Sequence, residues 1–416
     1  MAVTVRYIYS ACAMFSTPDA RVLCDPWITP GIHDGSWFQF PYFDDLYERL
    51  GTTDFIYVSH IHQDHYDLKF LRRYLREFPD TRVIIADFDD NFLARKMKID
   101  RIPHEIVRVL TVGDTEIALL PNHQHAQDID SAIAVRHGGH SVVNMNDNVY
   151  HQDLVDRVLA FAPEPTIALL PYTGAGSYPH TFYEAGDKLV ERAAWKKQVG
   201  FTRFGEYCEA MKPKAIIPFA GKYVLGGRLH YLNAYRGNPD PVEALTLDPR
   251  VVILVDGGVG TIDTDSLQAS EERTEPYDAR EMDRYLMSIA NRPMDYELTF
   301  GHLEVSNVPF PRLLAKAYQT ALARGEAGFD YWYCIWLGDK WFAMNANINS
   351  PECGVRADVS GLEHRSEIFI DLRYLYGLLT LTYHWNNAEG GSQYFTRRNV
   401  DEFHREVNDF LNFLHV

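Results

Sequence analysis

Cysteine is scarce in this chain. Five occur in 416 residues, namely Cys12, Cys24, Cys208, Cys334 and Cys353. Their number is odd, they lie far apart, and no C-x-x-C pair occurs. This argues against a disulfide framework and a cysteine zinc knuckle, and makes a reduced, cytoplasmic setting the expectation. Positive charge is also short: 40 Lys and Arg face 57 Asp and Glu, a net charge of −17. No basic surplus is left to neutralise phosphates, so nucleic acid is not an expected partner. A local basic pocket for one small anion stays open. No run is long and apolar enough to span a membrane. The start, MAVTVRYIYSACAMF, lacks the basic head and apolar run of a signal peptide. No G-x-S-x-G elbow occurs, which disfavours a Ser/His/Asp hydrolase. Gly257-Gly258-Val259-Gly260 has neither the dinucleotide spacing nor a P-loop lysine.

The length suggests one large domain and a smaller one. Val3, Val5, Tyr7 and Tyr9 alternate as in a strand. Apolar, β-branched runs predict further strands at 22–24, 54–58, 82–86, 116–120, 132–135, 141–144, 166–170, 215–217 and 251–255. Helical spacing predicts helices at 68–77, 152–161 and 182–211, the last broken at Gly200 or Gly205. The polar stretch SLQASEERTEP marks a boundary between domains at 1–265 and 277–416. The second opens with a helix, continues with aromatic strands near 331–336 and 340–344, and closes with a helix at 401–414. Its aromatic content offers a face for a homodimer.

Chemistry concentrates in Ser59-His60-Ile61-His62-Gln63-Asp64-His65. Imidazoles and a carboxylate packed behind a strand suit a borderline divalent metal. On a tight loop, alternate residues face two adjacent sites. The competing reading, chance clustering on a surface loop, sits badly with the strand before it and the H-x-H-x-D-H order. Later strand ends supply further candidates. One of His123 and His125 is a plausible ligand, and spacing does not choose between them. Asp147, in Asn144-Met145-Asn146-Asp147-Asn148, is placed to bridge two metals, although an Asx turn is the alternative. His230, in GGRLHYLN, is the remaining candidate, although a lone histidine is more often structural. Asp64 and Asp147 are the candidate catalytic carboxylates.

Substrate contacts are expected from Tyr172 and His180, around a Gly-rich loop that could present backbone N–H groups to an anion or be an ordinary turn. Lys222 and Arg228 flank the distal histidine and could meet a phosphate or carboxylate, or be solvated surface charges. The cluster His384, Trp385, Asn386, Asn387 and Glu389 is expected to pack against the metal domain.

These residues resemble the metallo-β-lactamase superfamily, an αββα sandwich. The resemblance implies that His60, His62 and His123 or His125 hold one metal. Asp64, His65 and His230 would hold the other, with Asp147 between them. The distal histidine departs from the commonest pattern, since Ala220-Gly221 occupies its usual place. A delayed histidine is seen in the branch that includes N-acyl phosphatidylethanolamine phospholipase D. Four more stretches are DPW at Asp25 to Trp27, GAGSYPHTF at Gly174 to Phe182, PFAGKY at Pro218 to Tyr223, and HWNNAEGGSQYFTRR from His384. Together they are similar to CMP-N-acetylneuraminate hydroxylase and its bacterial relatives. That similarity implies a non-heme diiron oxygenase acting on a polar anionic sugar- or nucleotide-like metabolite. Those hydroxylases carry a Rieske domain, whose cluster needs C-x-H and C-x-x-H pairs. No cysteine here has such a partner, so no Rieske cluster is expected in this chain, and a separate ferredoxin or reductase, or the substrate itself, would supply the electrons. The alternative is a metallohydrolase of a phosphoester or amide. Two divalent metals serve either reading, and imidazole and carboxylate suit Fe, Zn and Mn alike.

Overall fold

The computed structural model describes residues 2–123, 130–402 and 404–416. Its N-terminal part stacks two sheets between helices. The first sheet runs in the order Thr261–Asp263, Thr4–Tyr9, Cys12–Ser16, Arg21–Cys24, Phe55–Tyr57, Arg82–Ala86, Glu105–Val107. The second runs Ala215–Phe219, Ile167–Pro171, His140–Asn144, Ser131–His137, Thr115–Pro121, Val109–Val112.

The alternation of side chains explains the layers. Phe55, Tyr57 and Ile84 from one sheet meet Ile133, Val135, Ile167 and Leu169 from the other in a shared interior. Their sequence neighbours turn outward. Ile56, Val83 and Ile85 pack under the helices Leu68–Glu77 and Phe92–Asp100, with Leu71 and Met97. Ala132, Ala134, Ala168 and Leu170 pack under Gln152–Phe161 and Leu189–Met211. Strands buried on both faces read as near-continuous apolar runs, as 83–86, 132–135 and 167–170 do. The result is the αββα sandwich that the metal-loop motif implied.

The C-terminal part is a five-stranded sheet, Cys353–Arg356, Trp341–Asn345, Trp332–Trp336, Arg365–Ile370, Tyr394–Arg398, with helices including Phe310–Leu322, Leu372–Leu379 and Arg405–Asn412. Its core is not private. Trp27, Trp37, Tyr223 and Leu225 of the sandwich belong to the same apolar cluster as Tyr318, Tyr374, Trp385 and Leu414. Among the described residues, no helix is long and apolar enough to cross a membrane.

Two expected elements differ. The helix Leu189–Met211 is unbroken through Gly200 and Gly205, and the kink falls earlier, at Gly186. Gly200 serves packing instead: a Cβ there would meet the Tyr172 carbonyl oxygen at 2.7 Å. Residues 251–255 form isolated bridges, Val251 to Ile216 and Leu254 to Glu272, rather than a strand. The sheet edge is taken by Thr261–Asp263, paired antiparallel with Thr4–Tyr9.

Ile133 lies in the shared interior with no exposure. Ile133→Ala is expected to cost about 2–5 kcal/mol, because the sheets cannot collapse onto the void. A urea titration checks this, and an unchanged midpoint would contradict the packing described.

Candidate metal centre

The centre is built at the ends of strands Arg21–Cys24 and Phe55–Tyr57, which run parallel. Asp25 follows the first and has no exposure. Its carboxylate accepts the Ser59 N–H at 2.7 Å and the Ser59 hydroxyl at 2.7 Å, and lies 2.8 Å from His65 Nδ1. Such a partner keeps the proton on Nδ1 and turns Nε2 toward the site. At the other end of the loop, Asp67 caps the helix Leu68–Glu77 through Phe70 N–H. It also accepts from the backbone of Ile28 and Thr29. The loop is thus clamped at both ends.

Between the clamps, His60 Nε2 lies 2.7 Å from His62 Nδ1. His60 Nδ1 stands 2.9 Å from Ser59 Oγ and 3.3 Å from Asp130 Oδ1. His65 Nε2 lies 3.5 Å from Asp64 Oδ2 and 3.4 Å from Asp147 Oδ2. It is buried and has no hydrogen-bond partner among the described residues. One ligand atom each from His60, His65 and Asp147 falls within 4.8 Å of the others. The Asx-type turn that competes for Asp147 is made by Asn144, whose Oδ1 accepts the Asn146 N–H at 2.8 Å. Asn146, at φ 48°, donates to Tyr57 Oη and the Ser131 carbonyl. Asp147 is thereby left to face His65.

Electrostatics fit a cation. Burial pulls the His65 imidazole down, but Asp64, Asp147 and Asp25 outweigh it and hold it well above its usual range. Burial and the neighbouring His65 push His60 down to about 4. Burial and then His60 push His62 down to about 3. Burial would raise Asp64 and Asp147, yet His65 holds both below the usual carboxylate range. Burial and the charge of Asp147 push Asp130 up to about 8. Neutral His60 and His62 beside ionised Asp64 and Asp147 are in the states in which such groups ligate a metal, while His65 carries the positive charge that a cation would replace.

His33 joins the site without a motif to announce it. Its Nε2 is 3.3 Å from Asp64 Oδ1, and its ring packs 4.3 Å from that of Trp37. His33 and Asp34 both hold left-handed backbone, at φ 49° and 60°. The turn is fixed by Gln63 Oε1 accepting the His33 N–H, by Gln393 donating to the His33 carbonyl, and by Tyr374 donating to Asp34. A Cβ on Gly391 would meet the His33 carbonyl at 2.9 Å.

Other candidates lie elsewhere. His230 sits in the 3-10 helix Gly227–Tyr235 with Nδ1 3.0 Å from the Gly227 carbonyl, outside the His60, His65 and Asp147 group. His123 is exposed, with Nδ1 4.0 Å from an Asp89 oxygen. His125 lies outside the described residues. Tyr172 and His180 are buried, and His180 Nε2 is 2.7 Å from Ser392 Oγ. Lys222 is not a free cation: its Nζ meets the buried Asp256 carboxylate at 2.6 Å. Arg228 is exposed, donates to the Gln393 carbonyl at 3.3 Å and covers the Tyr296 ring. Two residues that the sequence did not single out, His33 and Asp130, lie 3.3 Å from Asp64 and 3.3 Å from His60. The one available signal was the pair of glycines, Gly31 and Gly35, flanking His33.

Residues 4–163 match the family model described as "Beta-lactamase superfamily domain", and the fold is that of the metallo-β-lactamases. The chain is similar to the cytidine monophosphate-N-acetylneuraminic acid hydroxylase of Cricetulus griseus, 25% identical over 239 residues, 53% of this chain and 40% of the relative. It is also similar to a protein of Mycolicibacterium smegmatis named as a Rieske 2Fe-2S iron–sulfur protein, 28% identical over 238 residues, 52% and 43% of the two chains. The matched stretch is thus less than half the length of either relative. Among solved structures it resembles CmlA, a diiron β-hydroxylase from Streptomyces venezuelae, at 14% identity and a TM-score of 0.37, covering 59% of this chain and 49% of that one. It likewise resembles the metallo-β-lactamase fold protein YhfI from Bacillus subtilis, at 14% identity and a TM-score of 0.38, covering 63% and 100%.

Asp25→Asn keeps the shape of the clamp but loses the charge that orients His65. Metal affinity is expected to fall about 10–100-fold, as for other carboxylates behind a ligating histidine. Competition against a chromophoric chelator measures it, and unchanged affinity would remove Asp25 from this role.

Proposed function

We propose that this chain is a dinuclear metal-dependent enzyme, and specifically a non-heme diiron oxygenase that hydroxylates a polar anionic metabolite. The observation that carries the metal site is His65 Nε2, buried without a hydrogen-bond partner between the carboxylates of Asp64 and Asp147. Two buried carboxylates on either side of that nitrogen call for positive charge between them, which the imidazolium carries in the absence of a metal and a bound cation would supply in its place. The names of the curated relatives, a hydroxylase and a Rieske protein, support oxygenation over hydrolysis.

The proposed ligands are His60, His62, Asp64, His65 and Asp147. His33 takes the distal place beside Asp64 that the family pattern would give to His230. Iron held there supplies oxygen activation when bound, whereas zinc would supply hydrolysis of a phosphoester or amide. The chain's own groups orient and shield. Asp25 holds the Nδ1 proton of His65, and Ser59 and Asp130 flank Nδ1 of His60. Tyr57 and Ser131 lock the turn that carries Asp147. Trp37, stacked on Tyr223 at 3.5 Å, walls off water beside His33. A separate ferredoxin or reductase delivers the electrons.

Elemental analysis with Mössbauer spectroscopy on protein grown in iron-57 tests this reading. About two irons per chain are expected, with a coupled diferric signal that reduces and then reacts with oxygen. Zinc at full occupancy, or iron inert to oxygen, would replace it with the hydrolase. In the same assay His33→Ala is expected to retain about half the metal and His230→Ala all of it. The reverse pattern would return the distal place to His230.

A further inference from the structure

Arg236 follows the 3-10 helix Gly227–Tyr235 and is 9% exposed. Its Nε and Nη1 are buried without a hydrogen-bond partner, and no carboxylate pairs with it among the described residues. Nearby Asp240 and Asp256 are already engaged by Arg273 and Lys222. A buried guanidinium without a counter-charge is costly, and proteins rarely keep one for stability.

Its neighbours add to the cost. Gly237, at φ 70°, packs the chain onto the helix Leu189–Met211, since a Cβ there would meet the Ala193 carbonyl at 2.6 Å. One turn along that helix, Lys196 points its Nζ at the Gly176 carbonyl at 3.0 Å and meets no carboxylate among the described residues. His180, on the same loop as Gly176, leaves its buried Nδ1 without a partner. Burial and then Arg236 push the Lys196 ammonium down to about 7. Burial, Lys196 and Arg236 hold the His180 imidazole well below its usual range. In a chain of net charge −17, the charges that act on His180 are Lys196 and Arg236, and the charge that acts on Lys196 is Arg236, with no acid among them.

We propose that Arg236, Lys196 and His180 form an oxyanion subsite that takes the phosphate or carboxylate of the substrate. An anion placed there would supply the missing counter-charge and the missing acceptors. The subsite shares a wall with the metal centre. The Arg236 guanidinium covers the Tyr223 ring at 4.4 Å, Tyr223 stacks on Trp37, and Trp37 packs on His33. As a substrate anchor the subsite rests on the enzymatic reading above; as an anion site it stands by itself. The anion contact moves from Lys222 and Arg228, the residues the sequence favoured, to a cluster whose charge is unspent.

The test is thermal unfolding of the full chain, both as purified and after chelator treatment, in phosphate, acetate or chloride at matched ionic strength. About 50 mM anion is expected to raise the Tm by several degrees, as ligand linkage requires. A larger shift with phosphate than acetate identifies a phosphoryl ligand, and the reverse a carboxylate. Arg236→Met is expected to unfold at or above the wild-type Tm in chloride and to lose the anion response, because it removes an unpaired buried charge. The proposal is overturned if neither anion stabilises the chelated wild type, or if Arg236→Met loses stability and keeps the response. Should Arg236→Met not fold, Lys196→Met decides by the same response. A response that survives chelation while the protein binds no iron would sink the oxygenase and leave the subsite standing.

Discussion

Asp25 is a carboxylate with no access to water, and the metal loop is arranged around it. Removing such a charge from water costs several kcal/mol unless its lone pairs are met. Here the Ser59 N–H, the Ser59 hydroxyl and His65 meet them. Satisfying Asp25 therefore fixes three things at once. The two parallel strands end in register, the loop turns back after Ser59, and His65 shows only Nε2 to the site. The other candidate ligands of the loop are placed on a scaffold already set.

A second constraint comes from far along the chain. Two consecutive left-handed residues, His33 and Asp34, hold a conformation that costs roughly 1–2 kcal/mol per residue, somewhat less for a short polar side chain. Gln393 and Tyr374 hold them there. Strain concentrated beside a candidate ligand and held from outside is the pattern expected of a functional site. It also explains why the tail motif from His384 and the sandwich share one apolar core.

What could be read in the sequence was local. The sandwich was legible because strands buried on both faces read as short continuous apolar runs, as at 83–86 and 167–170. The metal loop was legible because His60, His62, Asp64 and His65 are neighbours in the chain. His33, Asp130 and Arg236 were not, since each acquires its role from contacts made across the fold. Lys222 and Arg228 looked like free cations because the acid that neutralises Lys222 lies 34 residues away. Gly200 resembled a helix breaker, yet its lack of a side chain is what lets the Tyr172 backbone approach. Spacing could not choose between His123 and His125, and it gave no sign of His33, whose place depends on how residues 31–35 and 390–393 come together.

The bonds from Gln393 and Tyr374 to the His33 turn make the two halves of the chain thermodynamic partners. Order imposed on the His33 turn would be transmitted as stability to the half that carries Tyr374 and Gln393, and by reciprocity the folding of that half holds the turn. Among the described residues the C-terminal half adds no member to the His60, His65 and Asp147 group, yet it holds the turn that sets His33 beside Asp64.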